Sequence, residues 1–405
     1  MPYSIIELEV TQPLPTICTS GDDTGIALVL RRKGRPIGFL MQTLPAKSLL
    51  TPEDLAQLLT REIGAKFLQE SIREELVPPA NPDQFPSLTV AICTKDRPEN
   101  VARCLEHLLN VGRTEGSPNF EVLVVNNAPS DERTKELVAT LAGVRYVREP
   151  RAGLDFARNR ALQEATGEII AYLDDDVVVD DQWLKGIVEA WAENPDAGAF
   201  TGLVLPYELA TEAQILFEKR GGFGRGFEKI RYGQVLPGNP LYPCGAGIFG
   251  AGCNMAFRRE VLLKLGGFDE ALDTGTPLPG GGDLDVFYRV IRAGYPLVYE
   301  PRYLVFHQHR RENAKLRRQY WSWGLGEMAF VVKAYQSDPS QRVKFLLHVS
   351  WWFKDKLIQL LKSVRSPQTS PPAMILAEWW GGLVGLLGEY PRSQRRVDQI
   401  RRQFS

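Results

Sequence analysis

Three consecutive carboxylates, Asp174, Asp175 and Asp176, follow the apolar run Ile169 to Leu173 and precede a second apolar run, Val177 to Val179. A continuous apolar segment rich in β-branched residues reads as a strand buried on both faces. Carboxylates at the end of such a strand are costly unless positive charge sits beside them. A metal ion meets that need. Asp174 and Asp176, one residue apart, can reach one hard divalent cation and the phosphates bound to it. An acidic turn in a solvated loop is the plain alternative, and the surrounding elements decide between the two.

Those elements alternate. Leu88 to Cys93 is a buried strand, and TKDRPE after it carries a cap, a proline and a reciprocal glutamate that start a helix. FEVLVVNNAPSDERTKELV repeats the plan, with a strand ending at Asn126-Asn127. VRYVREP is a shorter strand, and LDFARNRALQEA is the helix that leads into the acidic strand. Strands alternating with helices predict an α/β fold with a doubly wound, mainly parallel sheet. In such a sheet the ligand sits outside the carboxyl ends of the strands. Thr94, Asp96, Arg97, Asn126, Asn127 and Asp174 to Asp176 all fall on that rim. Each alone is an ordinary cap or turn residue; their shared location favours a site.

Further along, a helix carries Trp183, Ile187, Val188 and Trp191, and a Gly- and aromatic-rich segment spans Arg220 to Gly250. Gly252 and Asn254 then suit close backbone approach to a ligand and a side-chain hydrogen bond to it; a tight strand crossing with a satisfied, buried Asn fits the pattern equally. The loop from Asp273 to Gly282 has the glycines of a lid. It leads into DLDVFYRVIRAG, a helix starting near Asp283. PLVYEPRYLVFHQHRR reads as a strand pair ending in His307 and His309, which alternate, so that one of the two can enter a site.

The flanks differ from this core. Residues 1–85 form a small α+β module with a hairpin and a helix capped at Thr51, closed by a Pro-rich linker over 77–86. Nothing in it points to chemistry, and an accessory or docking role is expected. Residues 86–313 hold the alternating core, and 314–405 form a helical tail rich in Trp, Leu, Lys and Arg. Such helices lie in a membrane interface, or pack on the core, or form a homodimer surface. The formal net charge of −1 argues against a nucleic-acid partner. Five cysteines without CxxC spacing, no signal peptide and no spanning apolar stretch point to a cytoplasmic protein, on the inner face of the membrane if the tail is interfacial.

From Leu88 to Arg310 the sequence resembles the family 2 glycosyltransferases of GT-A fold, inverting enzymes that use nucleotide sugars. The matching pieces occur in the family's order: VAICTKDRPE, VVNNAPSDE, GLDFARNRAL with GEIIAYLDDDV, GCNMAFRRE with GGFDE, and GGDLDVFYRVIRAG. The resemblance implies a metal motif at Asp174 and Asp176, holding Mn²⁺ or Mg²⁺, with Asp175 in the substrate site. It implies that Asp283 is the general base, and that Gly153, Arg158 and Asn159 line the donor site. Asp285 is expected to cap or orient. A late histidine near the metal is a family habit, and His309 is favoured for it over His307. Asn126-Asn127 stands where relatives carry Asp-Asp or Asp-Asn, so the base is open.

The implied function is transfer of a hexose from a nucleotide sugar to a hydroxyl of a glycan or lipid-linked acceptor, as in polysaccharide and cell-envelope synthesis. A sugar nucleotidyltransferase is the first alternative, although TKDRPE has no glycine for a phosphate loop. A non-catalytic nucleotide-sugar-binding module is the second; the intact Asp174, Asp176 and Asp283 count against it.

Overall fold

The computed structural model describes residues 2–76, 85–112, 120–275, 278–365 and 371–404. Most of the expected linker over 77–86, and part of the expected lid over 273–282, lie outside the described residues.

The N-terminal module contains β1 (Tyr3–Glu9), β2 (Ile17–Cys18), β3 (Gly25–Arg32), β4 (Arg35–Thr43), β5 (Leu49–Leu50) and α1 (Pro52–Leu76). β3 is its centre, parallel to β1 and antiparallel to β4. The tight β3–β4 turn works because Lys33 and Gly34 both take positive φ, 49° and 78°, as a two-residue hairpin requires. α1 is capped reciprocally: the Asp54 N–H donates to Thr51 Oγ1 at 3.2 Å, and the Thr51 N–H donates to Asp54 Oδ2 at 3.0 Å. The module is tied to the core by a buried ion pair, Arg31 Nη2 to Asp180 Oδ2 at 2.5 Å. An apolar contact of Tyr3 and Ala27 with Leu209 and Ile215 adds to it.

The core runs β6 (Leu88–Thr94), α2 (Pro98–Gly112), β7 (Phe120–Asn127), α3 (Arg133–Ala139), β8 (Val144–Glu149), α4 (Leu154–Glu164), β9 (Ile169–Asp174), β10 (Val177–Val179) and α5 (Trp183–Glu193). It continues through β11 (Ala199–Pro206), α6 (Glu212–Lys219), β12 (Ile230–Tyr232), β13 (Asn254–Arg258), α7 (Arg259–Lys264), α8 (Gly282–Arg292) and β14 (Leu297–His307). The sheet order is β10-β14-β11-β13-β9-β6-β7-β8, with β12 on the side of β14. β8, β7, β6 and β9 are mutually parallel. β13 then enters antiparallel between β9 and β11. Every residue of β6 is buried, because α2 and α5 cover one face of the sheet and α4 and α8 the other.

One expectation is corrected. The segment read as a strand pair is the single 11-residue strand β14. Pro301 is absorbed where the pairing of β14 with β11 slips between Gly202 and Val204, since a bulge tolerates a residue without an N–H.

The tail forms α9 (Asn313–Ser337), α10 (Arg342–Arg365), α11 (Pro372–Val384) and α12 (Tyr390–Gln403). α9 and α11 cross almost backbone to backbone. A Cβ at Gly324 would lie 1.9 Å from the carbonyl oxygen of Glu378, and one at Gly381 2.0 Å from that of Trp321. α9 also meets the start of α8, where a Cβ at Gly281 would lie 2.8 Å from the Gly326 carbonyl oxygen. The tail therefore packs on the core through α9 and α11. Among the described residues no helix is long and apolar enough to cross a membrane.

Candidate active site

The carboxyl ends of β6 and β9 open on a cavity of about 1580 Å³, whose opposite wall is α9, α10 and the first turns of α11. Small-molecule pockets usually hold about 300–1,000 Å³. There is room here for two substrates.

The acidic triplet forms the floor. β9 ends at Asp174, the chain turns through Asp175 and Asp176, and β10 pairs back on β14 with Val177 opposite His307. That reversal sets the partners of the three carboxylates. Asp175 accepts Thr94 Oγ1–H at 2.6 Å and Arg97 Nη1–H at 2.9 Å. Asp176 faces His307 Nε2 at 3.3 Å, with Arg97 at 3.6 Å and Arg310 at 3.8 Å. Asp174 has Arg158 Nη2 at 3.9 Å, beyond hydrogen-bonding distance. Burial pushes the Asp174 carboxyl up to about 6, against the pull of Arg158. Burial pushes Asp176 the same way, but His307, Arg310 and Arg97 together hold it below the usual carboxylate range. Asp174 is thus the triplet's carboxylate without a close cation, and it lines the cavity.

The two histidines fall differently from the expectation of opposite faces. β14 ends at His307, so strand alternation stops there, and both rings lie on one side with their Nδ1 atoms 3.0 Å apart. His307 reaches Asp176. His309 points away, with its Nε2 2.7 Å from Glu218 Oε1 and its ring edge-on to Phe217. His307, and not His309, is the histidine placed beside the acidic floor.

Asp283 stands across the floor. The N-cap of α8 is Gly281, with φ of 108°, so Asp283 sits inside the first turn instead of capping it. Its Oδ2 accepts the Gly252 N–H at 3.1 Å and its Oδ1 accepts the Leu284 N–H at 2.9 Å. Asp283 lines the cavity. Asp285, two residues on, does not. It is fully buried, accepting from Arg289 Nε at 2.7 Å and bonded to Lys333. In place of the expected capping or orienting role, and of a place in the substrate site, Asp285 holds an ion pair that joins α8 to α9.

Arg158 links these parts. It is 4% exposed and pairs with Asp155 at 3.1 Å and Asp273 at 3.4 Å while reaching toward Asp174. Asp155, fully buried with an Oδ2 that has no partner among the described residues, is pushed well up by burial and then by Asp273. Asp155 was not singled out from sequence, although its spacing from Arg158 is that of a helical ion pair.

Several other candidates hold structure. Asn127 clamps the loop before α4, accepting the Gly153 N–H at 2.9 Å and donating to the Arg151 carbonyl at 2.7 Å. Asn159 binds both backbone groups of Phe268. Asn254 is fully buried and satisfied by Trp183, Leu203 and Tyr303, so it does not reach the cavity as a ligand. Asp96 accepts the Ser130 N–H. Asn126 donates to Tyr146, and its buried Oδ1 has no partner among the described residues. The cavity also recruits residues absent from the sequence expectations, among them Arg310, Arg220, Phe223 and Trp323. Arg310 carried a signal, a cation directly after the strand-end histidines.

Residues 89–266 match the family described as Glycosyl transferase family 2. Together with the relatives below, this match supports a family 2 glycosyltransferase. The glycosyltransferase core is 24% identical over 193 residues to a glucosyl-dolichyl phosphate glucuronosyltransferase of Haloferax volcanii, covering 45% of this chain and 56% of that protein. It is 27% identical to the O-antigen biosynthesis protein RfbC of Myxococcus xanthus, over 58% of this chain and 18% of that one. It is likewise 27% identical to the succinoglycan biosynthesis protein ExoM of Rhizobium meliloti, over 54% and 66%. In each case the match spans less than two thirds of the relative. The fold is similar to that of the mannosyltransferase PcManGT of Pyrobaculum calidifontis, solved with GDP-Man and Mn²⁺. The TM-score is 0.51 at 17% identity, covering 81% of this chain and 97% of that one. The glycosyltransferase core is therefore of GT-A type.

Proposed function

We propose that the protein moves a sugar from a nucleotide-diphosphate sugar to a hydroxyl of a glycan or lipid-linked acceptor, with inversion at the anomeric carbon and Asp283 as base. One observation carries this: Asp174 and Asp283, from the end of β9 and the start of α8, line one cavity with room for two substrates. The names of the relatives, which include a glucosyl-dolichyl phosphate enzyme and two polysaccharide biosynthesis proteins, support the substrate class.

In this mechanism the acceptor oxygen attacks the anomeric carbon as its proton passes to a carboxylate oxygen of Asp283. The bond to the diphosphate oxygen breaks and the nucleoside diphosphate leaves. Arg97, Arg158 and Arg310 place positive charge around the leaving diphosphate. The Gly252 N–H and the first turn of α8 fix the Asp283 carboxylate. Asn126, with its orphan Oδ1 at the end of β7, is the residue we assign to the nucleobase edge.

The residues also fit a divalent cation, Mn²⁺ or Mg²⁺. Among the described residues no three His, Cys, Asp or Glu side chains assemble a metal cage. An ion held by one or two carboxylates plus substrate phosphates needs none. Asp174, without a close cationic partner, and Asp176 would hold it, with His307 in the place first expected of His309. Bound there, the ion would neutralise charge on the leaving diphosphate as a Lewis acid.

We assign residues 1–85 an accessory role and residues 314–405 the acceptor wall. α10 also turns Val343, Leu346, Leu347, Trp351, Leu357 and Leu361 outward, each more than half exposed. They recur at helical spacing, with Lys354, Lys362 and Arg365 nearby. This is the pattern of a helix resting in an anionic membrane surface, and we place the protein peripherally on the inner face of the membrane. Incubation with a panel of nucleotide sugars and Mn²⁺ tests the function. Slow release of nucleoside diphosphate is expected from one donor, while release from none would reject the transferase.

A further inference from the structure

The cavity is far more basic than the chain. Its walls carry eleven Arg and Lys against five Asp and Glu, an excess of six positive charges in a protein of formal net charge −1. Arg97 and Arg310 follow strand ends, Arg158 is on α4, and all three face the acidic triplet. A second group lies elsewhere. Lys315 and Arg318 are on the first turns of α9, Lys356 and Lys362 are on α10, and Arg220 follows α6.

The separation follows from the helix. Gly326 of α9 lies against Gly281, at the start of α8 and next to Asp283. From Gly326 back to Arg318 the helix runs eight residues, about 12 Å at its usual rise. Tyr320 and Trp323 line the wall between. The second group therefore lies toward the start of α9, away from Gly281 and Asp283.

Nor do the described residues neutralise the second group. Glu378 is shared by Arg220 at 2.7 Å and Lys356 at 2.6 Å, and Nη1 of Arg220 is buried with no partner among the described residues. Lys315 pairs with Glu312 at 2.5 Å. Arg318 and Lys362 carry no ion pair among the described residues, and both are exposed to the cavity mouth. Uncompensated guanidinium and ammonium groups converging in a cleft with aromatic walls suit phosphate oxygens.

We infer that this end of the cavity is an acceptor subsite that takes the phosphate of a phosphate-bearing acceptor, so that a sugar hydroxyl of that acceptor reaches Asp283. The inference rests on the transferase function proposed above and adds the charge of the acceptor to it. Phosphate is the shared chemistry, whether it is carried by a lipid or by a sugar.

Trp323 and Trp352 in the wall give a fluorescence signal. The full chain, saturated with nucleoside diphosphate and Mn²⁺, is titrated with citronellyl phosphate, citronellol, a hexose 1-phosphate and inorganic phosphate. At least one organic phosphate is expected to bind, at least about tenfold tighter than citronellol, and the better of the two names the source. Arg318→Gln with Lys362→Gln is expected to weaken that binding about tenfold or more, and Arg318→Glu with Lys362→Glu to weaken it further. Both positions are exposed, so these variants do not disturb the core. Citronellol binding as well as the phosphates, phosphate binding unchanged in both variants, or no binding of either organic phosphate would overturn the subsite. Nucleoside diphosphate binding, measured first and separately, reports on the transferase alone.

Discussion

The two ends of the cavity are built by different rules. At the strand ends, charge is largely matched where it stands: Asp175 by Thr94 and Arg97, Asp176 by His307 and Arg310. β6, buried throughout, and β9, buried up to Asp174, hold these groups rigidly. At the helical end, cations outnumber their partners, and the wall is set by glycine crossings such as Gly324 on Glu378. The family match also stops at residue 266, before Asp283 and before α9. A matched, strand-built end suits one invariant task, gripping the donor. An unmatched, helix-built end suits choice of acceptor. The same contrast divides residues two apart on α8, where Asp283 lines the cavity and Asp285 is sealed into an ion pair.

The sharpest way to break this division is Asp283→Asn. It keeps the shape and removes the proton acceptor, and turnover is expected to fall about 10²- to 10⁴-fold with donor affinity unchanged. Steady-state rates beside donor titrations check both halves. Asp285→Ala should do the reverse. Removing one partner of a buried pair costs about 3–5 kcal/mol, so denaturant unfolding should show a large loss of stability. A stable but inactive Asp285→Ala would move Asp285 into the chemistry. Next in size is the helix crossing. Gly324→Ala forces a Cβ against the Glu378 carbonyl and is expected to cost about 1–3 kcal/mol through overpacking, seen as a lower melting temperature. An unchanged melting temperature would mean that the acceptor wall is looser than its backbone contacts imply. At the surface, Leu346→Glu with Leu357→Glu should abolish cosedimentation with anionic liposomes and leave the fold intact. Equal pelleting of variant and wild type would remove α10 from the membrane.

Much of the strand-built end was legible in the sequence, because its signals are local. Buried runs ending in Thr94, Asn127 and Asp174 announce strand ends by composition alone, and a doubly wound sheet puts strand ends together. Asp283 was legible from its neighbours, but its position inside the first turn of α8 was not, since Gly281 takes the cap. The two histidines were set on opposite faces because alternation was carried past the point where β14 stops. Asn254 and Asp285 look like ligands in a string of letters; only the packing of Trp183, Tyr303, Arg289 and Lys333 around them shows otherwise. The helical end was least legible. Arg220, Lys356 and Glu378 are far apart in sequence, and nothing local says that α6, α10 and α11 converge.

The most direct test of the two-ended cavity is calorimetric titration of the matching nucleoside diphosphate, with and without Mn²⁺, into wild type, Asp176→Ala and Asp283→Asn. Wild type and Asp283→Asn should bind alike and only with the metal, while Asp176→Ala should lose that metal-dependent binding. Equal affinity in all three proteins, or metal-independent binding throughout, would contradict a donor site at the end of β9.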